Sequence, residues 1–586
     1  MLDYQTYLSQ VRRNAYEADP AFRAHWLAGL PETWRAWSDT RARQVGALAA
    51  TRWTELGQRA NENPPKLHVR NAWGEDIYSV EVHPDYDQLA REAYEAGVVW
   101  PRFNAHLNGG KAPWSVVFGL GYLFGQAEQG MFCPICLTAG TAWLLERFGD
   151  EELKRRYLTR VASPDYDQLL EGAMFLTERE GGSDVGAARC EARMEGGQWR
   201  LYGDKWFASN AGRAGAMMVL ARPQGAAAGT RGLGLFLVPR ELGNGERNAI
   251  RIHRLKDKLG TRSMPSGELT FEGAIAYPVG AVEHGFAQMA EMLNLSRLYN
   301  AVGSISNMRR VLRTAIAYQG ARSAFGHAVD QYPMAQAQLI EQTIEQEAAT
   351  RITFETIGWL DRVEAGNPGA RGEKLLRVLT PMIKYHTARA SVDMASWGAE
   401  ALGGNGYIEE WPMARYLRDA QVLPIWEGTT NILVLDVLRS FAKEGTGPVL
   451  LAELGNRLEA DFGPALAPWR EALAREVADA EQQLLALLEL DDAGRTCHAK
   501  AWCDRMVRLT QGVLLLETAA QELAAGRGRA VLVLAHFLRR HFAPGDWRER
   551  MRGPSPALGY EAIVHHAPIS ADAAIALLRE GAPALR

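Results

Sequence analysis

The chain has 586 residues, 47% of them apolar and 23% charged, with 65 Lys and Arg against 69 Asp and Glu for a formal net charge of −4. Such a chain buries a large core spread over several domains, and its near-neutral balance excludes a dedicated basic coat for a nucleic acid. Only ten of the 65 cations are lysines, a compositional bias to which the sequence alone attaches no function.

Cysteine usage adds a compartment. Cys133, Cys136, Cys190, Cys497 and Cys503 are too few and too irregularly spaced for a disulfide framework, which predicts a reducing, cytoplasmic setting. Cys133-Pro134-Ile135-Cys136 is a C-x-x-C without a second pair or a nearby His, inside an apolar run, and reads as buried thiols ahead of a redox pair. The first twenty residues contain no apolar h-region, so no secretory signal is expected. Val116 to Gly125, the longest strongly apolar run, is about half of the ~20 residues a membrane span requires, and no membrane segment is expected.

Four blocks follow one another. Residues 1–171 are rich in Trp, Ala and Leu at helical spacing, broken at Pro64-Pro65 and at Gly109 to Pro113, and predict a mostly helical domain with an extra N-terminal segment. Trp26, Trp34, Trp37 and Trp53 mark that segment, whose expected role is packing or subunit contact. Over 172–285 glycine becomes dense and short β-type runs recur at Trp199 to Tyr202, Met217 to Leu220, Leu233 to Val238 and Glu268 to Phe271, which predicts a small β domain. From 286 to 440 helical periodicity returns. Leu298, Val302, Ile305, Met308, Leu312 and Ile316 form one apolar stripe, and Gly366 to Gly369 punctuates the next pair of helices. The block 441–586 is helical again, with a seam of Trp502, Met506, Leu509, Val513, Leu516 and Leu523 that ends before Gly526.

No G-x-G-x-x-G, G-x-x-x-x-G-K-[ST] or H-E-x-x-H occurs, so doubly wound dinucleotide, P-loop and zincin readings lose their main support. His536 and His541, five apart, point to different sides of a helix, and no metal site is expected.

Three segments carry candidate chemistry. Thr177 to Asp184 contains Gly181-Gly182-Ser183, a loop whose main-chain N–H groups and hydroxyls can approach an anion, although such loops also serve as plain solvent loops. Gly203 to Asn210 sets Trp206 and Phe207 before small polar residues at a strand end, either as core or as a wall for a planar ring. Leu402 to Tyr407 is followed by Trp426-Glu427-Gly428-Thr429, where an acid stands just before a Thr-capped helix running toward Leu438; it reads as a general base or as an acid complementing the helix dipole.

In order and spacing, these segments together resemble the acyl-CoA dehydrogenase family of flavoproteins. Its pattern T-E-x-x-x-G-S-D, G-x-K-x-[WF]-x-[TS]-N, R-x-x-F-G, L-G-G-x-G-[YF], [YW]-E-G-T is matched by Thr177 to Asp184, Gly203 to Asn210, Arg322 to Gly326, Leu402 to Tyr407 and Trp426 to Thr429. Within the family the likeness is closest to the AidB-like, alkylation-response branch. It rests on Arg179 and Glu180 in the first motif, Arg247 to Ile250 leading into Arg254 to Gly260, Asn63-Pro64-Pro65, Cys133-Pro134-Ile135, Trp426 before the Glu, and the added C-terminal block.

The resemblance implies an α+β fold: an N-terminal helical domain, a central β-barrel-like domain, a C-terminal four-helix bundle and an additional C-terminal helical domain. It implies FAD, with Leu176, Thr177, Phe207 and Ser209 facing the ring and Gly182 and Ser183 near the pyrophosphate. Arg322, Phe325, Glu400, Gly403 and Gly404 would reach the FAD of a neighbouring subunit in a homotetramer, a dimer of dimers, and Thr429 and Asn431 would close over the cofactor. Glu427 matches the catalytic base that removes the α-proton of an acyl-CoA; Ser183, Ser296, Arg297 and Gly428 fall on the substrate side. Some relatives carry the base on an earlier helix just before an Arg; here Ser296 precedes Arg297 and leaves Glu427 alone. The expected electron acceptor is an electron-transfer flavoprotein.

The branch resemblance also raises a second function, a DNA-associated protective flavoprotein. Residues 441–586 hold 17 Lys and Arg against 19 Asp and Glu, so that block is not basic as a whole, and DNA is not the favoured partner. The exception is a stretch with Arg527, Arg529, Arg539, Arg540, Arg548, Arg550 and Arg552 against Asp546 and Glu549, read as a solvated face ahead of a phosphate-binding or interface patch.

Overall fold

The computed structural model describes residues 1–542 and 555–580, leaving Arg548, Arg550 and Arg552 outside the described residues. The chain forms two compact units, Leu30–Gly303 and a second made of Met1–Gly29 with Ser304–Arg586.

In the Leu30–Gly303 unit the apolar run at Val116 belongs to the helix Trp114–Gly125, every residue of which is buried. A helix apolar all round is a core helix when it is this short. Among the described residues no helix is long and apolar enough to cross a membrane. Cys133 and Cys136 lie on the next helix, Phe132–Phe148, as free thiols, Cys136 buried and Cys133 half-buried. The Trp- and Ala-rich block also contains something its helical texture did not announce: strands β1 (Lys66–Arg70) and β2 (Asp76–Glu81) pair antiparallel directly after Pro64-Pro65. Their turn is built by Asn71, whose side chain accepts from Trp73 N and Glu75 N at 3.0 Å each, and by Gly74 at φ +84°.

The β domain uses β3 (Gly172–Phe175), β4 (Glu191–Glu195), β5 (Gln198–Ser209), β6 (Ala216–Pro223), β7 (Gly234–Pro239), β8 (Ile250–Leu255) and β9 (Ser266–Pro278). β6 pairs with β4 and β7, β4 with β5, and β5 with β9, which returns to β7; these five strands close a ring, with β3 added on β6 and β8 on β9. Closure removes the unpaired edges of the ring strands. It also explains the unbroken apolar runs of β6 and β7. Met217, Val219, Phe236 and Val238 fill one core with Leu201, Leu269 and Phe271, while Met218, Leu220, Leu235 and Leu237 alternate outward onto Leu144, Leu145, Met289 and Met292.

One charged pair lies inside this domain. Lys205 of β5, 1% exposed, meets Glu178 at 2.7 Å and also donates to the carbonyls of Leu176 (3.3 Å) and Leu220 (2.9 Å). Glu178 accepts in turn from Arg189 N (2.6 Å) and Cys190 N (3.1 Å).

The other unit is helical. Ser304 to Ala321, the end of the helix Gly285–Ala321, runs with helices Pro333–Glu364, Gly372–Ala401 and Thr430–Glu444, the turn between the second and third using Gly366 and Gly369 at φ +69° and +63°. The predicted stripe is buried at Leu298, Val302, Ile305, Met308 and Leu312, but so are Ser304, Ser306, Asn307, Arg309 and Arg310 on its other faces. Asn307, Arg309 and Arg310 find partners within the unit. Arg310 meets Asp419 at 3.1 Å, donates from Nε to Asn307 (2.7 Å) and lies over the Tyr416 ring, and Asn307 donates to Ser391 (2.9 Å). Residues 1–29 pack onto the same helices through Arg309–Asp19 (3.1 Å), Tyr7 against Tyr318 and Trp411, and Phe22 against Phe354.

The C-terminal helices, from Thr446–Leu458 to Ala571–Glu580, attach by ion pairs to Pro333–Glu364. Arg457 pairs with Glu355 and, at 3.2 Å, with Glu517; Arg508 meets Glu345 at 2.6 Å; and Arg529 pairs with Glu347. In the seam, Trp502, Met506, Leu509, Val513 and Leu516 are buried, and Gly526 at φ +74° follows the helix end at Ala524.

Two stability effects follow. Replacing Lys205 with Met leaves Glu178 as an uncompensated buried charge and is expected to cost about 3–5 kcal/mol in urea unfolding, with the Lys205→Met/Glu178→Gln double variant recovering part of the loss; an unchanged midpoint for the single variant would contradict this. Burial pushes the Glu355 carboxyl up, but the Arg457 and Arg351 guanidiniums outweigh it and hold it at about 2. A carboxylate depressed in the folded state contributes stability above its unfolded value and loses it as pH falls toward 2. The stability difference between wild type and Glu355→Gln, roughly 3 kcal/mol at neutral pH, is therefore expected to shrink between about pH 4.5 and 2 in acid-titrated unfolding curves.

Candidate active site

The residues singled out from the sequence fall into two groups, one in each unit. In the β domain, β5 and β9 lose register between Lys205↔Leu269 and Ala208↔Gly267, so Trp206 and Phe207 together oppose Glu268. This bulge turns the two aromatics out of the alternation that would bury them, and Phe207 is left 58% exposed. Trp206 N donates to Thr177 O at 3.0 Å, and the buried Lys205–Glu178 pair lies at the same place, so the Thr177–Asp184 loop is fastened to the bulge from two sides. Leu176, Thr177 and Ser209 are half-buried, and Gly182 and Ser183 exposed.

Lys256 stands 3.6 Å from the Trp206 ring centre and 4.7 Å from that of Phe207. It is held there by Glu268, whose carboxyl is brought down to about 2 by its hydrogen bond to Arg254, against burial, with Lys256 adding to the effect. Farther along, Lys258 donates to the carbonyls of Thr261 and Met264 at 2.7 Å each, around Thr261 at φ +50°. Ser296 is buried and its hydroxyl donates to Leu293 O (2.9 Å), a helix-internal bond; Arg297, half-buried, donates to Asn294 (3.1 Å).

In the helical unit Arg322 is half-buried and leads into a two-residue hairpin, β10 (Ser323–Ala324) with β11 (His327–Ala328). Its tip presents Phe325, 96% exposed and at φ +50°. Tyr332 donates to Ala324 O at 2.7 Å and fixes the hairpin. Glu400, Gly403 and Gly404 are exposed, with Gly403 at φ +62°.

Glu427 is half-buried at φ +57°, and Gly428 follows at φ +99°. A left-handed backbone costs a non-glycine residue about 1–2 kcal/mol, so the turn needs support. Lys384, with no exposed surface, supplies it by donating to Trp426 O (2.6 Å) and Gly428 O (2.7 Å). Thr429 stands at the N-cap position, but its side chain makes no capping bond, contrary to the Thr cap expected; its carbonyl accepts the first intrahelical bond, from Leu433 N (3.0 Å). The helix runs past Leu438 to Glu444, and Asn431 lies exposed in its first turn.

Sequence reasoning gave no role to Glu178, Lys205, Lys256 or Lys384. A lysine inside an apolar strand or helix run, as at Lys205 and Lys384, is the signal that marks such groups, because an ammonium is seldom buried unless hydrogen-bonded.

A flavin dinucleotide needs a flat wall for its ring, donors for the ring edge and open main chain for its pyrophosphate. The β-side group meets each need. Phe207 offers the face, Thr177 and Ser209 flank the bulge with hydroxyls, and a Cβ at Gly182 would meet Thr177 Oγ1 at 2.6 Å, so only glycine keeps that loop open. These residues fit FAD. Among the described residues no cluster of His, Cys, Asp or Glu is arranged to hold a metal ion. Of the Arg-rich stretch, Arg529 is engaged by Glu347, and Arg540 by Glu341 (2.7 Å) and Glu345 (3.2 Å), which removes them from a free phosphate-binding face.

Comparison with known proteins agrees with this architecture. Residues 8–168 match the adaptive response protein AidB N-terminal domain, 173–274 the acyl-CoA dehydrogenase middle domain and 283–442 the acyl-CoA dehydrogenase C-terminal domain. The chain is 31% identical over 533 residues to acyl-CoA dehydrogenase family member 11 of Caenorhabditis elegans, covering 88% of this chain and 85% of that one. It is 32% identical over 494 residues to AidB of Escherichia coli, covering 80% and 88%. The crystal structure of Caenorhabditis elegans ACDH-11 in complex with C11-CoA superposes with a TM-score of 0.84 at 28% identity, over 91% of this chain and 92% of that one. Matched along most of its length by domains whose members bind FAD, the chain belongs to the acyl-CoA dehydrogenase family, with the AidB type of N-terminal domain.

Proposed function

We propose that the protein is an FAD-dependent acyl-CoA dehydrogenase that removes the α-proton and the β-hydride of an acyl-CoA thioester, with Glu427 as the base. The observation that carries this reading is the turn at Trp426-Glu427-Gly428: a half-buried carboxylate on a left-handed residue, braced by a fully buried ammonium. Strain of this kind persists where the surroundings over-determine it, and it concentrates at reacting groups.

When bound, FAD supplies the acceptor for the β-hydride. The chain's own residues do the rest. Glu427 takes the α-proton onto its carboxylate. Leu176, Thr177, Phe207 and Ser209 hold the flat ring, and Gly182 and Ser183 meet the pyrophosphate through open main chain. In the helical unit Thr429 and Asn431 serve the cofactor and Gly428 the substrate; in the other unit Ser183, Ser296 and Arg297 serve the substrate. The α-proton of a thioester is too weakly acidic for a carboxylate unless main-chain donors hold the thioester oxygen, and the N–H of Glu427 is the donor this turn offers. Trp426, bulkier than a Tyr, narrows the acyl pocket. An acyl-CoA thioester is supported as the ligand class by the C11-CoA in the ACDH-11 complex. Electrons then pass to an electron-transfer flavoprotein.

Phe325 and the shelf at Glu400, Gly403 and Gly404 serve the FAD of a neighbouring subunit in a homotetramer. An aromatic ring 96% exposed on a strained hairpin tip supports this, since apolar surface so presented gains most by being covered.

The holoprotein is expected to be yellow and to bleach anaerobically with at least one member of a panel of acyl-CoA thioesters. Glu427→Gln is expected to keep its colour while flavin reduction slows by about 10³-fold or more, the scale of a lost general base; bleaching at the wild-type rate would exclude Glu427 as the base. Phe325→Asp is expected to shift the sedimentation profile to smaller species and to lower the bound flavin. A profile and flavin content equal to wild type would remove the hairpin from the subunit contact.

A further inference from the structure

We propose that Lys384 is the positioning residue of the catalytic turn: by donating to the carbonyls on either side of Glu427, its buried ammonium holds that residue in its left-handed backbone and so sets the direction of the carboxylate. The inference rests on the assignment of Glu427 as the base.

The geometry carries it. Glu427 and Gly428 are two successive left-handed residues, at φ +57° and +99°. Their combined turn brings the carbonyls of Trp426 and Gly428 toward one point, where Lys384 Nζ stands 2.6 Å from one and 2.7 Å from the other. Two converging carbonyl dipoles repel one another, and removed from water each needs a donor. A compact ammonium with rotatable donors satisfies both at once, which a planar or neutral group does less well. Because the two carbonyls belong to the peptide planes that bracket Glu427 and Gly428, fixing them leaves the Glu427 Cα–Cβ direction little freedom.

The origin of the ammonium is itself rigid. Lys384 lies in the helix Gly372–Ala401, where every residue from Val378 to Ala388 is buried. Thr380 and Thr387 add side-chain bonds to the carbonyls of Leu376 and Ile383, both at 2.7 Å. A group on a packed helix holds a loop more sharply than the loop holds itself. Gly428, at φ +99° and with Leu433 3.3 Å from where a Cβ would stand, is a position at which a side chain is both strained and crowded. Through its two bonds to the turn Lys384 acts on the reaction by way of Glu427.

The test uses full-length holoprotein carrying Lys384→Met, which keeps length and removes the donors, and Lys384→Arg, which keeps charge and donors. In anaerobic single turnover with the acyl-CoA that best bleaches the wild type, Lys384→Met is expected to reduce its flavin about 100-fold more slowly, with half-saturation within about threefold of wild type. Amide exchange across residues 422–433 of the holoprotein is expected to rise about tenfold in the same variant, the remaining bundle being unchanged. Lys384→Arg, whose planar fork keeps the charge and donors but fits the two carbonyls less well, is expected to recover part of both losses. A Lys384→Met protein that reduces at the wild-type rate, or whose exchange over 422–433 is unaltered, overturns the proposal, as does a Lys384→Arg protein as impaired as Lys384→Met. If Lys384→Met gives no folded holoprotein, both measurements are taken on Lys384→Gln, whose shorter amide reaches fewer acceptors, and the same two outcomes decide. A wild type that no acyl-CoA bleaches sinks the dehydrogenase reading, while the exchange comparison still decides whether Lys384 holds the turn.

Discussion

Backbone carbonyls gathered on a lysine ammonium recur at three places among the described residues where the chain departs from regular geometry. Lys205 collects the carbonyls of Leu176 and Leu220 beneath the β5 bulge, Lys258 those of Thr261 and Met264 around a left-handed threonine, and Lys384 those of Trp426 and Gly428 around a left-handed glutamate. Carbonyls left unpaired in an interior are costly, and so is an ammonium taken from water. Each cost removes the other when they meet. The loops that bear the candidate chemistry can therefore adopt strained shapes without water, because the compensating group arrives from a packed strand or helix.

At Lys205 the compensation is fuller, since Glu178 supplies a countercharge and is itself held by two main-chain N–H groups. That makes the pair a structural fastener between the Thr177–Asp184 loop and β5. A buried pair of this kind adds little net stability over apolar residues of the same size, while breaking it is expensive. Its effect is to give the loop one position, which is what a binding surface for a flat ring requires.

Much of the fold was legible because two periodicities suffice to reveal it. The ring strands β6 and β7 announce themselves as short apolar runs, and Gly366, Gly369 and Gly526 mark helix ends with positive φ. The β1–β2 hairpin was hidden because Lys66 to Glu81 lies between helices, is largely exposed, and so has little apolar alternation to read. The stripe on the Gly285–Ala321 helix is buried as expected, but it does not reveal the buried Asn307, Arg309 and Arg310 beside it, whose partners Ser391, Asp19 and Asp419 come from other elements. The site was legible as motifs, not as mechanics. Glu427 and Phe207 stand out in their local segments and Phe325 through the family resemblance, whereas the partners of Lys205 and Lys384 depend on pairings distant in sequence.

The arginine bias, which carries no meaning in the composition, acquires one in the helical unit. Arg310, Arg351, Arg457, Arg508 and Arg529 each meet a carboxylate on another helix, and Arg457 reaches both Glu355 and Glu517. A guanidinium presents its donors in a fixed planar fork, matched to carboxylates approaching from different directions along a helix face. Lysine, a point charge with donors free to rotate, is matched to main-chain carbonyls that converge. In the helical unit these five arginines join helices side chain to side chain, while Lys384 holds a turn. These pairings also bear on nucleic acid. Arginines committed to carboxylates within the chain contribute little to an outward field, so an Arg-rich stretch with Arg529 and Arg540 already engaged is weaker as a phosphate-binding surface than its count of charges suggests.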